Sequence, residues 1–193
     1  MKMIAKAGVL ASLTVLLPSV AFAHTGHDFH THGLFAGLLH PVSGWDHLTG
    51  MLAVGFWSAS LAKEQIRGVV TTFFAMLALG FIAGATGIAT SVVESGIAAS
   101  VLFAGLLLLR NRHLAMPAAA FFAAFFAVFH GIAHGAEATA GSSLSFAAGF
   151  MLSSGALFAT GALCHVLFAR RFTALRYIAG AGVACAGAGM MAF

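Results

Sequence analysis

The sequence predicts an all-α, polytopic membrane protein with six transmembrane helices after a cleaved signal peptide. Three observations carry this expectation. Of 193 residues, 61% are hydrophobic and 7% charged, whereas a soluble domain carries roughly 25% charged residues. The apolar runs are continuous rather than alternating, and most are near the ~20 residues a helix needs to cross the hydrocarbon core, which favours helices over a barrel. Finally, the Lys and Arg residues beyond the N-terminus fall in alternate connections, as in a multi-pass topology.

Residues 1–23 read as a secretory signal peptide. Lys2 and Lys6 form the basic region, an apolar run follows, and Ala21-Phe22-Ala23 offers a small-x-small cleavage site. Cleavage would leave His24 as the new N-terminus of a short tract, residues 24–35, holding His24, His27, His30 and His32. His-rich tracts of this kind suggest metal binding. Here the role would be capture outside the membrane, and the plainer alternative is a solvated linker.

The six spans are expected at 36–61, 68–90, 93–109, 114–136, 144–168 and 175–193. Lys63 and Arg67 follow the first, Arg110 and Arg112 the third, and Arg170, Arg171 and Arg176 the fifth; the connections after the second and fourth carry none. The positive-inside bias makes the first set cytoplasmic. In a bacterial inner membrane both the mature N-terminus and the C-terminus would then be periplasmic. The net charge of +4 is read as topology, and no nucleic-acid partner is expected. Cys164 and Cys185 both lie in apolar runs, which argues against a disulfide framework.

Gly80-x-x-x-Gly84 and Gly131-x-x-x-Gly135 permit close helix packing. In a chain with 23 glycines they do not establish a homo-oligomer, which stays open. Three spans precede the Arg110–His113 connection and three follow, which would make the halves inverted. No residue similarity joins them, and the two polar motifs share one depth, which speaks against a repeat.

Ionisable residues inside a membrane segment are costly and mark functional sites. Two clusters stand out: His40, Asp46 and His47 at the head of the first span, and His130, His134 and Glu137 at the end of the fourth. Proline is favoured at the first helical position, so the first helix is expected to begin at Pro41. His130, His134 and Glu137 share one helix face. The two spans are antiparallel, so His40 should level with His134 or Glu137, and His47 with His130. Imidazole with carboxylate suits a borderline divalent ion such as Ni²⁺ or Co²⁺, and the absence of Cys or Met from both motifs weighs against copper(I). Asp46 either joins the ligands or accepts a hydrogen bond from a neighbouring imidazole and fixes its tautomer. Cys164-His165, near the inner end of the fifth span, reads as a packed or snorkelling pair, with an exit ligand as the alternative; Glu94 reads as interfacial, His113 as part of the basic cytoplasmic loop, and Phe121-Phe122 with Phe125-Phe126 as lipid-facing or packing mass.

These motifs resemble those of the HupE/UreJ proteins: His40-Pro-x-x-Gly44-x-Asp46-His47, then Met51-Leu-Ala-Val-Gly55, and His130-Gly-x-Ala-His134-Gly-x-Glu137. The resemblance implies a secondary permease importing nickel or cobalt, with no prosthetic group, the ion bound transiently as cargo. It also implies a functional link to nickel enzymes such as hydrogenase or urease. Two other classes fit the sequence less well. In a metal-dependent intramembrane enzyme of the zinc-hydrolase kind the glutamate would sit between the two histidines, and no nucleophile accompanies the motifs. A non-transporting metal-sensing or assembly accessory protein would want a soluble docking domain, which the apolar segments leave no room for.

Overall fold

The first apolar segment does not form one helix. It divides into α1 (Leu34–Ser43) and α2 (Trp45–Ser58), separated at Gly44, whose backbone is extended. The expectation that the helix begins at Pro41 is therefore corrected: Pro41 lies inside α1 and is buried. The apolar stretch Leu34–Leu39 carries the helix upstream of it, and Gly37 sets α1 against the backbone of Phe146. Proline has no N–H to donate to the preceding turn and crowds its carbonyl. The helix nonetheless runs two residues past it, to Ser43, before the break at Gly44. Ser43 Oγ–H donates to the His40 carbonyl at 2.7 Å, taking up one of the acceptors the break exposes.

The computed structural model describes residues 33–88, 91–110, 114–138, 143–169 and 173–192. The expected signal peptide and His24, His27, His30 and His32 lie outside the described residues, as do Arg112, Arg170 and Arg171. After α2 come α3 (Lys63–Ala85), α4 (Val92–Arg110), α5 (Met116–Glu137), α6 (Ser143–Cys164), continued by a π-helical turn (His165–Ala169), and α7 (Thr173–Ala192). No strand occurs among the described residues. Five helices there are long and apolar enough to cross a membrane, and they correspond to the last five expected spans. The largest shift is in α3, which starts and ends five residues early because Thr86 and Gly87 turn the chain, Gly87 at φ 92°. Pro117 in the first turn of α5 needs no intrahelical donor there.

Small residues let the helices approach in three close pairs. Along α3 and α5, a Cβ on Gly84 would run into the Ile132 carbonyl, and one on Gly135 into the Phe81 carbonyl. The two GxxxG patterns thus meet each other within one chain. The broken segment packs on α6 in the same way, through Gly37 and Gly149 near its start and Gly55 and Gly161 near its end. In the third pair, α4 lies on α7 through Gly105, Gly180 and Gly187. Between the pairs sits an aromatic core in which Phe73, Phe126 and Phe150 are fully buried.

Candidate metal site

Contacts step along α1–α2 and α5 in opposite directions. Trp57 meets the ring of Phe122, His47 those of His130 and His134, and His40 that of His134. This is the antiparallel ladder expected from sequence, although its first rail is a broken helix. All six candidate residues from the two motifs lie in one cluster between these elements.

At its open end His40 Nε2–H donates to Glu137 Oε2 at 2.5 Å. Glu137 Oε2 is also 3.5 Å from His134 Nδ1, too poorly aligned to count as a hydrogen bond, since that nitrogen is left without one. One ligand atom each from His40, His134 and Glu137 lies within 4.8 Å of the others. Ligand atoms about 2.1 Å from a shared ion are at most about 4.2 Å apart. The trio needs only a small contraction to hold a cation, and the His40–Glu137 contact must open slightly to admit it.

Away from Glu137 the cluster is buried. His130 and His134 have 0% and 1% of their surface exposed, against 49% for the Glu137 side chain. His130 Nδ1–H donates to the Phe126 carbonyl at 2.9 Å, and the Phe126 ring stacks on the imidazole at 4.0 Å between centroids. His47 Nδ1–H donates to Asp46 Oδ1 at 2.9 Å. In both rings Nδ1 carries the proton it donates, so in the neutral imidazole it is Nε2 that bears the lone pair. Both Nε2 atoms are buried without a hydrogen-bond partner among the described residues, and so are both ring nitrogens of His134. A buried polar atom left unpaired costs about 1–3 kcal/mol. Such atoms concentrated on one set of facing rings are what a ligand-binding site would need.

The local sequence explains the placement. Gly44 ends α1 and starts α2, and a Cβ there would lie 2.7 Å from Asp46 Oδ1 and 3.2 Å from His47 Nδ1. Its bareness makes room for that pair. Asp46 also stands in the first turn of α2, where a carboxylate is favoured by the helix dipole. Sequence reasoning missed Phe126, Phe146 and Phe150, whose rings back His130, His40 and His134. Phe126 is four residues before His130, the spacing of neighbours on a helix, and could have been found that way. Phe146 and Phe150 come from α6, and nothing local marks them. Of the residues set aside, His165 packs its ring on Phe56 at 4.9 Å, away from this cluster.

The described residues form a bundle of helices, five of them long and apolar enough to cross a membrane, around a buried imidazole cluster with a carboxylate at its exposed end. The chain belongs to the HupE/UreJ family: the family model for "HupE / UreJ protein" matches residues 12–190. It is 37% identical over 177 residues to Protein HupE of Rhizobium leguminosarum bv. viciae, covering 91% of this chain and 92% of that protein. No solved structure matches it significantly.

Proposed function

We propose that this protein is a secondary permease that imports a divalent transition metal ion, Ni²⁺ or Co²⁺, across the bacterial inner membrane. In this reading α1 and α2 together form the first of six spans, broken where the ion binds. Discontinuous helices of this kind hold the substrate in several transporter folds. Both the mature N-terminus and the C-terminus are periplasmic, and the cluster's open end faces the periplasm. The observation that carries the reading is the set of buried, unpartnered imidazole nitrogens of His47, His130 and His134 beneath His40 and Glu137.

Each residue has a task. His24, His27, His30 and His32 collect the ion. His40, His134 and Glu137 receive it, exchanging the proton shared by His40 and Glu137 for metal. His47 and His130 hold it deeper with their bare Nε2 atoms. Asp46 keeps His47 in the ligating tautomer and offsets part of the ion's charge. The membrane potential drives the ion inward by about 4.6 kcal/mol at 100 mV, twice the single-charge figure, so no nucleotide is needed.

The test is uptake of Ni²⁺, Co²⁺, Zn²⁺ and Cu²⁺ into proteoliposomes, with His47→Ala and His130→Ala beside the wild type. Uptake of Ni²⁺ or Co²⁺ above that of empty liposomes, lost in both variants, is the expected result. Uptake no greater than that of empty liposomes for any ion overturns the permease reading, and full uptake in both variants overturns the site.

A further inference from the structure

We propose that the membrane domain is an inverted repeat of two three-span halves, and that the site opens when the halves exchange conformations. This rests on reading α1 and α2 as one broken span. Inverted halves are frequent in transporters, and this chain's own helix limits and contacts point to one.

The helix starts repeat. Leu34, Lys63 and Val92 open α1, α3 and α4; Met116, Ser143 and Thr173 open α5, α6 and α7, at steps of 82, 80 and 81 residues (116 − 34, 143 − 63, 173 − 92). The pairing repeats as well. If the broken span corresponds to α5, α3 to α6 and α4 to α7, the pair of the broken span with α6 becomes the pair of α5 with α3. The pair α4·α7 becomes itself. Those are the three close pairs the structure has.

Directions obey the same operation. Gly80 meets Val128 and Gly84 meets Ile132, so α3 and α5 run parallel. Gly37 meets Phe146 while Gly149 meets Leu34, each glycine on the residue three before its opposite number, which is again a parallel crossing. Between α4 and α7, Leu102 meets Gly187 and Gly105 meets Ala184, an antiparallel pair. A two-fold axis in the membrane plane exchanges the two parallel pairs and requires the third to be antiparallel.

The glycines keep register. Gly50 and Gly131, Gly68 and Gly149, and Gly80 and Gly161 are each 81 apart (131 − 50, 149 − 68, 161 − 80). In the last two pairs the contacts fall on corresponding elements: Gly149 lies on Leu34 of α1 and Gly68 on Met116 of α5, while Gly161 lies on Leu52 of α2 and Gly80 on Val128 of α5, about one turn before the counterpart; Gly50 instead faces the side chains of Phe126 and His130. The shared depth of the polar motifs is no objection. Residues 81 after His40, Asp46 and His47 are Phe121, Ala127 and Val128, so the ligands are an addition to one side of a repeated scaffold.

Where the halves differ, they show what moves. Gly44 breaks the first span, whereas α5 runs unbroken through its counterpart, Phe125. Gly149 lies against the backbone of α1, but Gly68 meets only the side chain of Met116. The present arrangement is thus tight at the Glu137 end of α1·α6 and looser at the opposite end of α3·α5. Exchange loosens α1 from α6, draws His40 off Glu137 and uncovers His134, while the start of α5 closes on α3. The periplasmic end, already exposed at Glu137, then opens further, down to the buried His134.

The test locks one pair. In a Cys164→Ala, Cys185→Ala background, Gly33→Cys with Ser145→Cys joins the starts of α1 and α6; a Cβ on Gly33 would lie 3.6 Å from Ser145 Cβ, within disulfide reach. Oxidised protein should lose at least tenfold of its Ni²⁺ uptake and regain it on reduction, with each single variant active; full uptake by the crosslinked protein overturns the exchange. Two readouts need no transport. Spin labels on Phe35→Cys and Leu144→Cys in nanodiscs should give two distance populations, and a single distance with and without Ni²⁺ overturns it. An impermeant maleimide should reach Ser60→Cys and Ala138→Cys from opposite sides, and labelling from one side overturns the repeat. Absence of uptake in every sample sinks the permease reading and leaves the inverted repeat to be decided by these last two.

Discussion

Asp46 and His47 show how one residue acts through its neighbour. The carboxylate accepts the Nδ1 proton of His47 at 2.9 Å, which leaves Nε2 as the only lone pair the ring can offer. Asp46→Asn keeps an acceptor and loses the charge. It should raise the Ni²⁺ concentration for half-maximal uptake about 10–100-fold, the usual cost of losing a partner behind a metal-binding histidine. His47→Ala removes the nitrogen itself and should abolish uptake, so flux assays on the two variants separate positioning from ligation. Gly44→Ala probes the same pair from behind. Its methyl would press on Asp46 Oδ1 and His47 Nδ1, and half-maximal uptake should shift upward with little change in melting temperature. An unaltered uptake curve would mean that the pair relaxes freely.

At the scale of elements, close backbone approach decides what a substitution costs. Gly135 lies on the backbone of Phe81, while Gly182 faces open space. Gly135→Val must push α5 off α3. Overpacking costs about 1–3 kcal/mol, or roughly 2–12 °C in a chain of this size, whereas Gly182→Val should leave the melting temperature in detergent unchanged. The contrast also shows what could be read beforehand. GxxxG spacing marks Gly131 and Gly135 as places of close approach, but spacing alone does not say whether the partner is another helix of the chain or a second copy. The long helices were legible because an unbroken apolar run has one structural solution in lipid. The break at Gly44 was not, because Pro41 is acceptable both at a helix start and near a helix end. Which reading holds depends on Gly37 meeting Phe146, more than a hundred residues away. The facing of the two histidine motifs was legible because charge is rare in this chain and antiparallel spans fix relative depth. The aromatic backing from Phe146 and Phe150 was not, because it comes from a helix with no polar mark.

At the scale of the whole molecule, the site sits between elements that belong to different close pairs: α1–α2 packs on α6, and α5 packs on α3. The candidate ligands therefore straddle the seam between those pairs, and in the proposed exchange a change in how the pairs pack would alter their spacing directly. This placement also bears on the driving force. A divalent ion that moves from His40 and Glu137, half exposed at the mouth, to His47 and His130, buried below, crosses part of the membrane field with both its charges. A permease that moves the bare ion should respond to the potential alone. Proteoliposomes given an inside-negative diffusion potential with potassium and valinomycin should take up Ni²⁺ faster than at zero potential, and an inside-positive potential should slow them. The 4.6 kcal/mol available at about 100 mV sets a limiting accumulation of a few thousandfold. Uptake indifferent to the potential, but driven by an opposing proton gradient, would mean that two protons leave the histidine and carboxylate ligands for each ion that enters. The His40–Glu137 contact would then be the place where one of them is held.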